Sequence, residues 1–274
     1  MNPVARDAVR GASPGRRGAL ADRAIVVTRP ADQAGPLVEL IRRHGGTPIL
    51  FPVLEIVEAE DLRPINGLID RLDEVDLAIF ISPTAVAKAM NLIRARRDLP
   101  RGLAIAAIGQ GSKRELRRFG VTEVVAPATR FDSEGLLALP ELRDVAGKRI
   151  AIFRGEGGRE LLGDTLLGRG ATVEYAECYR RRRPDADAAP LLHRWARNEL
   201  DAVTVTSGEG VHNLYEMVGK LGRKWLSQTP LFAPHERIGQ IARGLGLRQV
   251  IVTASGDEGL LQGLIEWFGD KRGT

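Results

Sequence analysis

Two stretches of this chain repeat one another at a fixed spacing. Residues 25–29 read Ile-Val-Val-Thr-Arg, and 125 positions later residues 150–154 read Ile-Ala-Ile-Phe-Arg. Asp76 and Ser82 recur at the same offset as Asp201 and Ser207, and the Glu-Gly-Leu-Leu of 134–137 recurs at 258–261. The last offset is 124, and a match held to within one residue over half a chain predicts duplication of one βα array. Accidental likeness between two α/β segments is the alternative.

The segments between those points alternate in type. Strands are expected over 24–28, 47–57, 77–81, 103–108, 122–127, 149–153, 202–205, 230–233 and 249–253. Helices are expected over 34–44, 62–72, 135–139, 188–198, 211–221, 237–245 and 258–268, with further helices opening after Ser82, after Gly109 and before Leu167. The strand runs are mostly continuously apolar, as in strands buried on both faces of a parallel sheet. The fold class is therefore α/β, with doubly wound parallel sheets.

Pro52 interrupts the long second strand, and proline cannot donate to a central ladder, so the chain is expected to leave its sheet there. The equivalent point in the second half lies in residues 172–184, Thr-Val-Glu-Tyr-Ala-Glu-Cys-Tyr-Arg-Arg-Arg-Arg-Pro. This stretch opens as a strand and ends in four arginines that repel one another and require water or an anion. A discontinuous organisation follows: residues 23–53 plus 184–274 as one domain, 58–173 as a second domain inserted into it, and 54–57 and 174–183 as a two-stranded linker. Residues 1–22 lack any hydrophobic period and are expected to form a disordered tail without the apolar core of a secretory signal.

At 274 residues the chain is long enough for two modest cores. A single cysteine excludes an internal disulfide or a cysteine-built zinc site, fits a reducing cytoplasm, and leaves four scattered histidines without metal-ligand spacing. The net charge of +5 admits nucleic acid or a polyanionic small molecule as partner. Short basic runs and 5% aromatic content argue against nucleic acid. No apolar run reaches the length needed to span a bilayer.

Candidate binding residues gather at the carboxyl ends of the expected strands, where open α/β sheets bind ligands. They are Arg29; Ser82, Pro83 and Thr84; Gly109 and Ser112; Ser133; Arg154, Gly155 and Arg159; and Thr206 and Ser207. A hydroxyl or glycine opening a helix presents free backbone N–H groups to an anion. Arg29, Ser82, Ser112, Arg154 and Thr206 are expected to line one cleft, with Tyr179 facing it and Arg180 beside it.

Taken together, the motifs resemble the uroporphyrinogen-III synthase family. The resemblance rests on Val-Thr-Arg-Pro at 27–30, Phe-Ile-Ser-Pro-Thr-Ala-Val at 80–86, Ala-Ile-Gly-Gln-Gly-Ser at 107–112 and Asp-Ser-Glu-Gly-Leu-Leu at 132–137. It continues in Arg-Gly-Glu-Gly-Gly-Arg at 154–159, Tyr-Arg at 179–180 and Val-Thr-Ser-Gly at 205–208. It implies two flavodoxin-like α/β domains joined by a two-stranded linker, a cytoplasmic monomer, no cofactor and no metal. The implied reaction is cyclisation of hydroxymethylbilane, a linear tetrapyrrole polycarboxylate, with inversion of the last pyrrole ring and loss of water. Tyr179 matches the linker tyrosine thought to assist loss of the substrate hydroxyl. The run Pro-His-Glu-Arg at 234–237 departs from members that carry two threonines there, so no hydroxyl role passes to it. A non-catalytic tetrapyrrole- or anion-binding protein of the same bilobal fold, or a nucleic-acid binder, remains the rival reading.

Overall fold

The computed structural model describes residues 18–158 and 160–270, in which strands alternate with helices along both halves of the chain. In order come β1 (Ala24–Val27), α1 (Gly35–Arg43), β2 (Thr47–Leu50), β3 (Glu55–Glu58), α2 (Arg63–Asp70), β4 (Leu77–Phe80), α3 (Pro83–Arg94), β5 (Ala104–Ala107), α4 (Gln110–Arg118) and α5 (Ser133–Leu137). The second half adds β6 (Arg149–Gly155), α6 (Leu161–Gly168), β7 (Thr172–Arg182), α7 (Ala189–Ala196), β8 (Ala202–Thr204), α8 (Gly208–Met217), α9 (Gly219–Leu226), β9 (Leu231–Ala233), α10 (Glu236–Gly244), β10 (Val250–Val252) and α11 (Gly256–Asp270).

The elements divide into two units, one made of the chain up to Glu55 and again from Arg183, the other of Ile56–Arg182. The first holds a parallel sheet in the order β10-β9-β8-β1-β2. One face packs Val26, Val203 and Leu231 against Trp195 and Leu214; the other packs Ile25, Val27 and Phe232 against Leu37, Ile41 and Leu264. Burial on both faces is why these strands read as continuous apolar runs. Pro48 sits inside β2, where the edge position asks for no donor on one side.

The second unit has the order β3-β7-β6-β4-β5, with β7-β6, β6-β4 and β4-β5 parallel. Phe80 and Phe153 stack across β4 and β6 at 4.8 Å between ring centroids. They lie in one core face with Ala176, Cys178 and Tyr179.

The repeat seen in the sequence is laid out crosswise. Asp201 Oδ2 accepts from the Ala24 backbone N–H at 2.8 Å, and Asp76 Oδ2 accepts from the Arg149 N–H at 2.7 Å. Ala24 and Arg149 are equivalent, as are Asp201 and Asp76, yet each bond joins residues of different copies. Each unit therefore takes the opening βαβ segment of one copy and the remainder of the other. In each unit the strand order reverses beside that segment, between β1 and β8 or between β6 and β4. This is where doubly wound sheets leave a crevice for a ligand.

Several elements depart from expectation. The strand expected over 47–57 is two, β2 and β3, parted at Phe51–Leu54. The strand expected over 122–127 is one bridge, Val125 to Ala106, cut short by Pro127. The helix expected over 211–221 is two helices, broken where Gly219 takes φ +62°. Residues 174–179, expected in a connecting strand, stay paired with β6, so β7 belongs to the second unit's sheet over that stretch. The tail expected over 1–22 is ordered at its end. Leu20 is fully buried in the first unit and donates its N–H to His44 O. Residues 1–17 lie outside the described part. Among the described residues no helix is long and apolar enough to cross a membrane.

Candidate functional site

In the second unit the strand ends bring three of the expected residues into contact. Ser82 follows β4 and caps α3, its Oγ accepting from the Ala85 N–H at 3.0 Å. Ser-Pro-Thr suits this place, since the serine caps and Pro83 fills the first helical turn, where its missing N–H costs nothing. The same Oγ lies 3.2 Å from Tyr179 Oη. Tyr179 comes from β7 and crosses the backbone of Gly155 at the end of β6. A Cβ on Gly155 would stand 2.6 Å from the tyrosine ring, so only glycine admits it there.

Tyr179 does not face open solvent. It is 1% exposed and forms part of the core with Phe80 and Phe153. The reason is a shift of register between β6 and β7: Arg154 pairs with Glu177, but Gly155 pairs with Tyr179. The extra residue turns Tyr179 away from the face of Tyr175 and onto the face of Ala176 and Cys178, beneath α3. Beside it, Arg181 is exposed, its Nη2 lies 3.5 Å from Tyr179 Oη, and its Cζ is 5.8 Å from the ring centroid. In the sequence Arg181 is one of four adjacent arginines, 180–183, expected to supply a positive field beside Tyr179, with nothing to tell it from the others. The useful signal is that its neighbours are engaged, Arg180 with Glu60 and Arg183 with Glu216.

Other expected residues are placed differently. Arg180, expected beside the ligand, is committed to that ion pair with Glu60. Arg154, expected at a strand end, lies inside β6 because the strand runs on to Gly155. Its side chain is 3% exposed and stacks over the Tyr175 ring, on the sheet face opposite Tyr179. Ser112, expected to line the cleft, is buried in the first turn of α4, on the face it shares with Leu116. Ser133 opens α5 half-buried, but Asp132 makes the cap, accepting from the Gly135 N–H at 2.7 Å. Gly109 caps α4 through its backbone alone, and Thr84 is half-buried in the first turn of α3. Arg159 lies outside the described residues.

In the first unit, Arg29 is held by Asp257 at 2.5 Å, at the start of α11, so its charge is already matched. Thr28 Oγ1 donates to Thr204 O at 2.8 Å and ties β1 to β8 where the strand order reverses. Ser207 Oγ caps α8 by accepting from the Gly210 N–H at 3.0 Å, as Ser82 does for α3 in the second unit. Thr206 is half-buried beside it. His235, in the run that departs from the expected threonines, caps α10 through Nδ1, which accepts from the Arg237 N–H.

The chemistry open to the second unit's rim is proton transfer with anion binding. Two hydroxyls are in contact, one of them already holds a helix N-terminus, and an exposed guanidinium lies next to the phenol. Cys178 offers no nucleophile, because burial pushes its thiol up to about 12.

Comparisons with known proteins point to one family. A family model described as uroporphyrinogen-III synthase HemD matches residues 35–262. The uroporphyrinogen-III synthase of Escherichia coli K12 is 37% identical over 239 residues, 86% of this chain and 97% of that protein. A putative uroporphyrinogen-III synthase of Methanothermobacter thermautotrophicus is 33% identical over 200 residues, 71% of this chain and 78% of that one. Among solved structures, a mutant uroporphyrinogen III synthase of Thermus thermophilus superposes with TM-score 0.63 at 21% identity, covering 91% of this chain and 99% of its own. Uroporphyrinogen-III synthetase of Helicobacter pylori gives 0.56 at 14% identity, covering 89% and 99%. At these identities the two structures speak for the fold.

Proposed function

The chain belongs to the uroporphyrinogen-III synthase family, and from that premise we propose that the Tyr179–Ser82 hydroxyl pair supplies the proton its reaction needs. The activity is that of a lyase: hydroxymethylbilane is closed to uroporphyrinogen III with loss of water. The electrons that expel the leaving group come from the terminal pyrrole, so the protein must furnish one proton and hold the chain ends.

In this proposal the C–O bond of the hydroxymethyl group breaks with its electron pair on oxygen. The departing hydroxide takes a proton from Ser82 Oγ and leaves as water. Ser82 recovers its proton from Tyr179 Oη, and the phenolate left behind is stabilised by Arg181 Nη2 at 3.5 Å until ring closure, when the pyrrole carbon that forms the new C–C bond to the freed methylene releases the proton that restores the phenol. A relay fits the burial of Tyr179, since the half-buried Ser82 stands nearer the rim. The observation that carries the reading is the 3.2 Å contact between these two hydroxyls at the reversal of strand order.

Carboxylate binding in the second unit is assigned to the backbone N–H groups that open α3 and α4, around Ser82, Pro83, Thr84 and Gly109. We extend the proposal to a monomer working in the cytoplasm without nucleic acid as partner. The deciding measurement is isomer analysis of the product formed from hydroxymethylbilane by purified protein. Type III product in excess of the spontaneous type I is expected; type I alone would overturn the assignment.

A further inference from the structure

Arg154 is a buried guanidinium at 3% exposure, and among the described residues no carboxylate lies within ion-pair distance of it. An unmatched buried cation is costly, and proteins keep one where an anion is to arrive. Partly buried arginines elsewhere in the same unit are matched, Arg97 with Asp73 and Arg180 with Glu60. Arg154 instead has a tyrosine beneath it: its Cζ stands 4.6 Å from the Tyr175 ring centroid, and its Nε donates to Gly155 O at 3.3 Å. The turn after β6 closes over the other side, where a Cβ on Gly158 would meet Arg154 Nη2 at 3.3 Å.

Tyr175 in turn is pinned. Its Oη is buried, and among the described residues it has no hydrogen-bond partner. That oxygen rests on α6 at Gly163, where a Cβ would stand 1.9 Å away. Burial and the charge of Glu160 raise the pKa of the phenol, with a smaller push from Asp164 and against the opposing pull of the Arg154 cation, so the ring is a neutral platform at ordinary pH. A tyrosine with its hydroxyl so placed is kept for its face.

We infer that Tyr175 is a positioning residue: its ring holds the Arg154 guanidinium flat at the carboxyl end of β6, where that cation takes one carboxylate of the substrate. The inference rests on the synthase reading above and adds to it the reader of a single substrate carboxylate. Arginine on an aromatic face loses little freedom when it binds and presents its remaining N–H groups edge-on to a carboxylate.

The test is a double-mutant cycle on Arg154→Gln and Tyr175→Met, with Tyr175→Phe as the conservative variant, assayed for type III product and for melting temperature. Methionine keeps side-chain bulk and removes the ring face. Each of the first two changes is expected to raise KM about tenfold, the size of one charge-assisted contact, with kcat within about twofold. Their combination is expected to be no worse than Arg154→Gln alone, and phenylalanine is expected to restore the KM. Equal, independent rises in KM that multiply in the double variant would overturn the positioning role. An unchanged KM in Arg154→Gln would overturn the carboxylate contact. Should Tyr175→Met fail to fold, Arg154→Lys tests the same point, since lysine keeps the charge without the stacked plane and is expected to leave KM raised; a wild-type KM there overturns the inference. If the unaltered protein forms only type I product, it is the synthase reading that fails.

Discussion

Ser82 Oγ accepts a hydrogen bond from the Ala85 N–H and at the same time lies 3.2 Å from Tyr179 Oη. One atom thus fixes the start of α3 and the position of a buried phenol. Stability and proton transfer are coupled through it, and variants must be chosen to separate the two.

Tyr179→Phe removes only the phenol oxygen. Ser82 keeps its cap, and the ring keeps its place against Gly155. Formation of type III product is expected to fall roughly a hundredfold in kcat, the range for loss of a general acid, while the melting temperature shifts little. Chromatographic separation of the type I and type III isomers measures it, and near wild-type output of type III would reject the role.

At position 82 two substitutions tell cap from chemistry. Ser82→Ala is expected to cost about 1 kcal/mol of stability as a lost N-cap, and Ser82→Gly only a few tenths. Both delete the hydroxyl facing Tyr179, so both are expected to lose activity to a similar extent. Denaturant unfolding set beside kcat decides: activity that tracks stability across the pair would mean Ser82 is a cap and nothing more.

Arg181→Gln is expected to lower kcat/KM about tenfold and to flatten its dependence on salt, because this guanidinium is exposed and lies against Tyr179 Oη. Arg149→Gln makes the same change of net charge at the opposite end of β6, where Arg149 pairs with Glu74. It serves as the control for bulk charge, and equal losses in the two variants would refute a local role for Arg181.

Cys178 gives a pH signature. Burial raises its thiol from an ordinary value of 9.0 to about 12 in the folded protein. The raised value favours the protonated thiol in the fold. The associated stability is therefore complete below about pH 9 and is lost as pH rises toward 12. Over that window the unfolding free energy is expected to fall by up to about 1.4 kcal/mol per pH unit from this group, and Cys178→Ala is expected to lack that component. A thiol reagent near pH 8 is expected to leave folded Cys178 unmodified and to react once the chain is denatured.

The sequence carried the alternation of strands and helices, the duplication, and the serine caps at Ser82 and Ser207, because each is a local pattern of apolar period or helix-start chemistry. It did not carry the surroundings of Tyr179 or Arg154. Strict alternation along β7 sets Tyr175, Glu177 and Tyr179 on one face, and the register shift at Gly155 moves Tyr179 to the other. Such a shift depends on how β6 meets β7, two segments apart in the chain, and no residue in either announces it. Likewise Arg29 reads as a free cation until Asp257, far along the sequence, is brought to it by the packing of α11 on α1.

The crosswise layout of the duplicated halves has a consequence for synthesis. The segment β1–α1–β2 leaves the ribosome before β8, yet Val26, paired with Ile49 on one side, has its other sheet partner in Val203, and Ala24 has its carboxylate in Asp201. The second unit can close as soon as Arg182 is available, while the apolar strand made first must wait for the strand β8 that docks on it. The nascent chain thus finishes its middle before its beginning, and Ile25, Val26 and Val27 are the residues most in need of shielding in the interval.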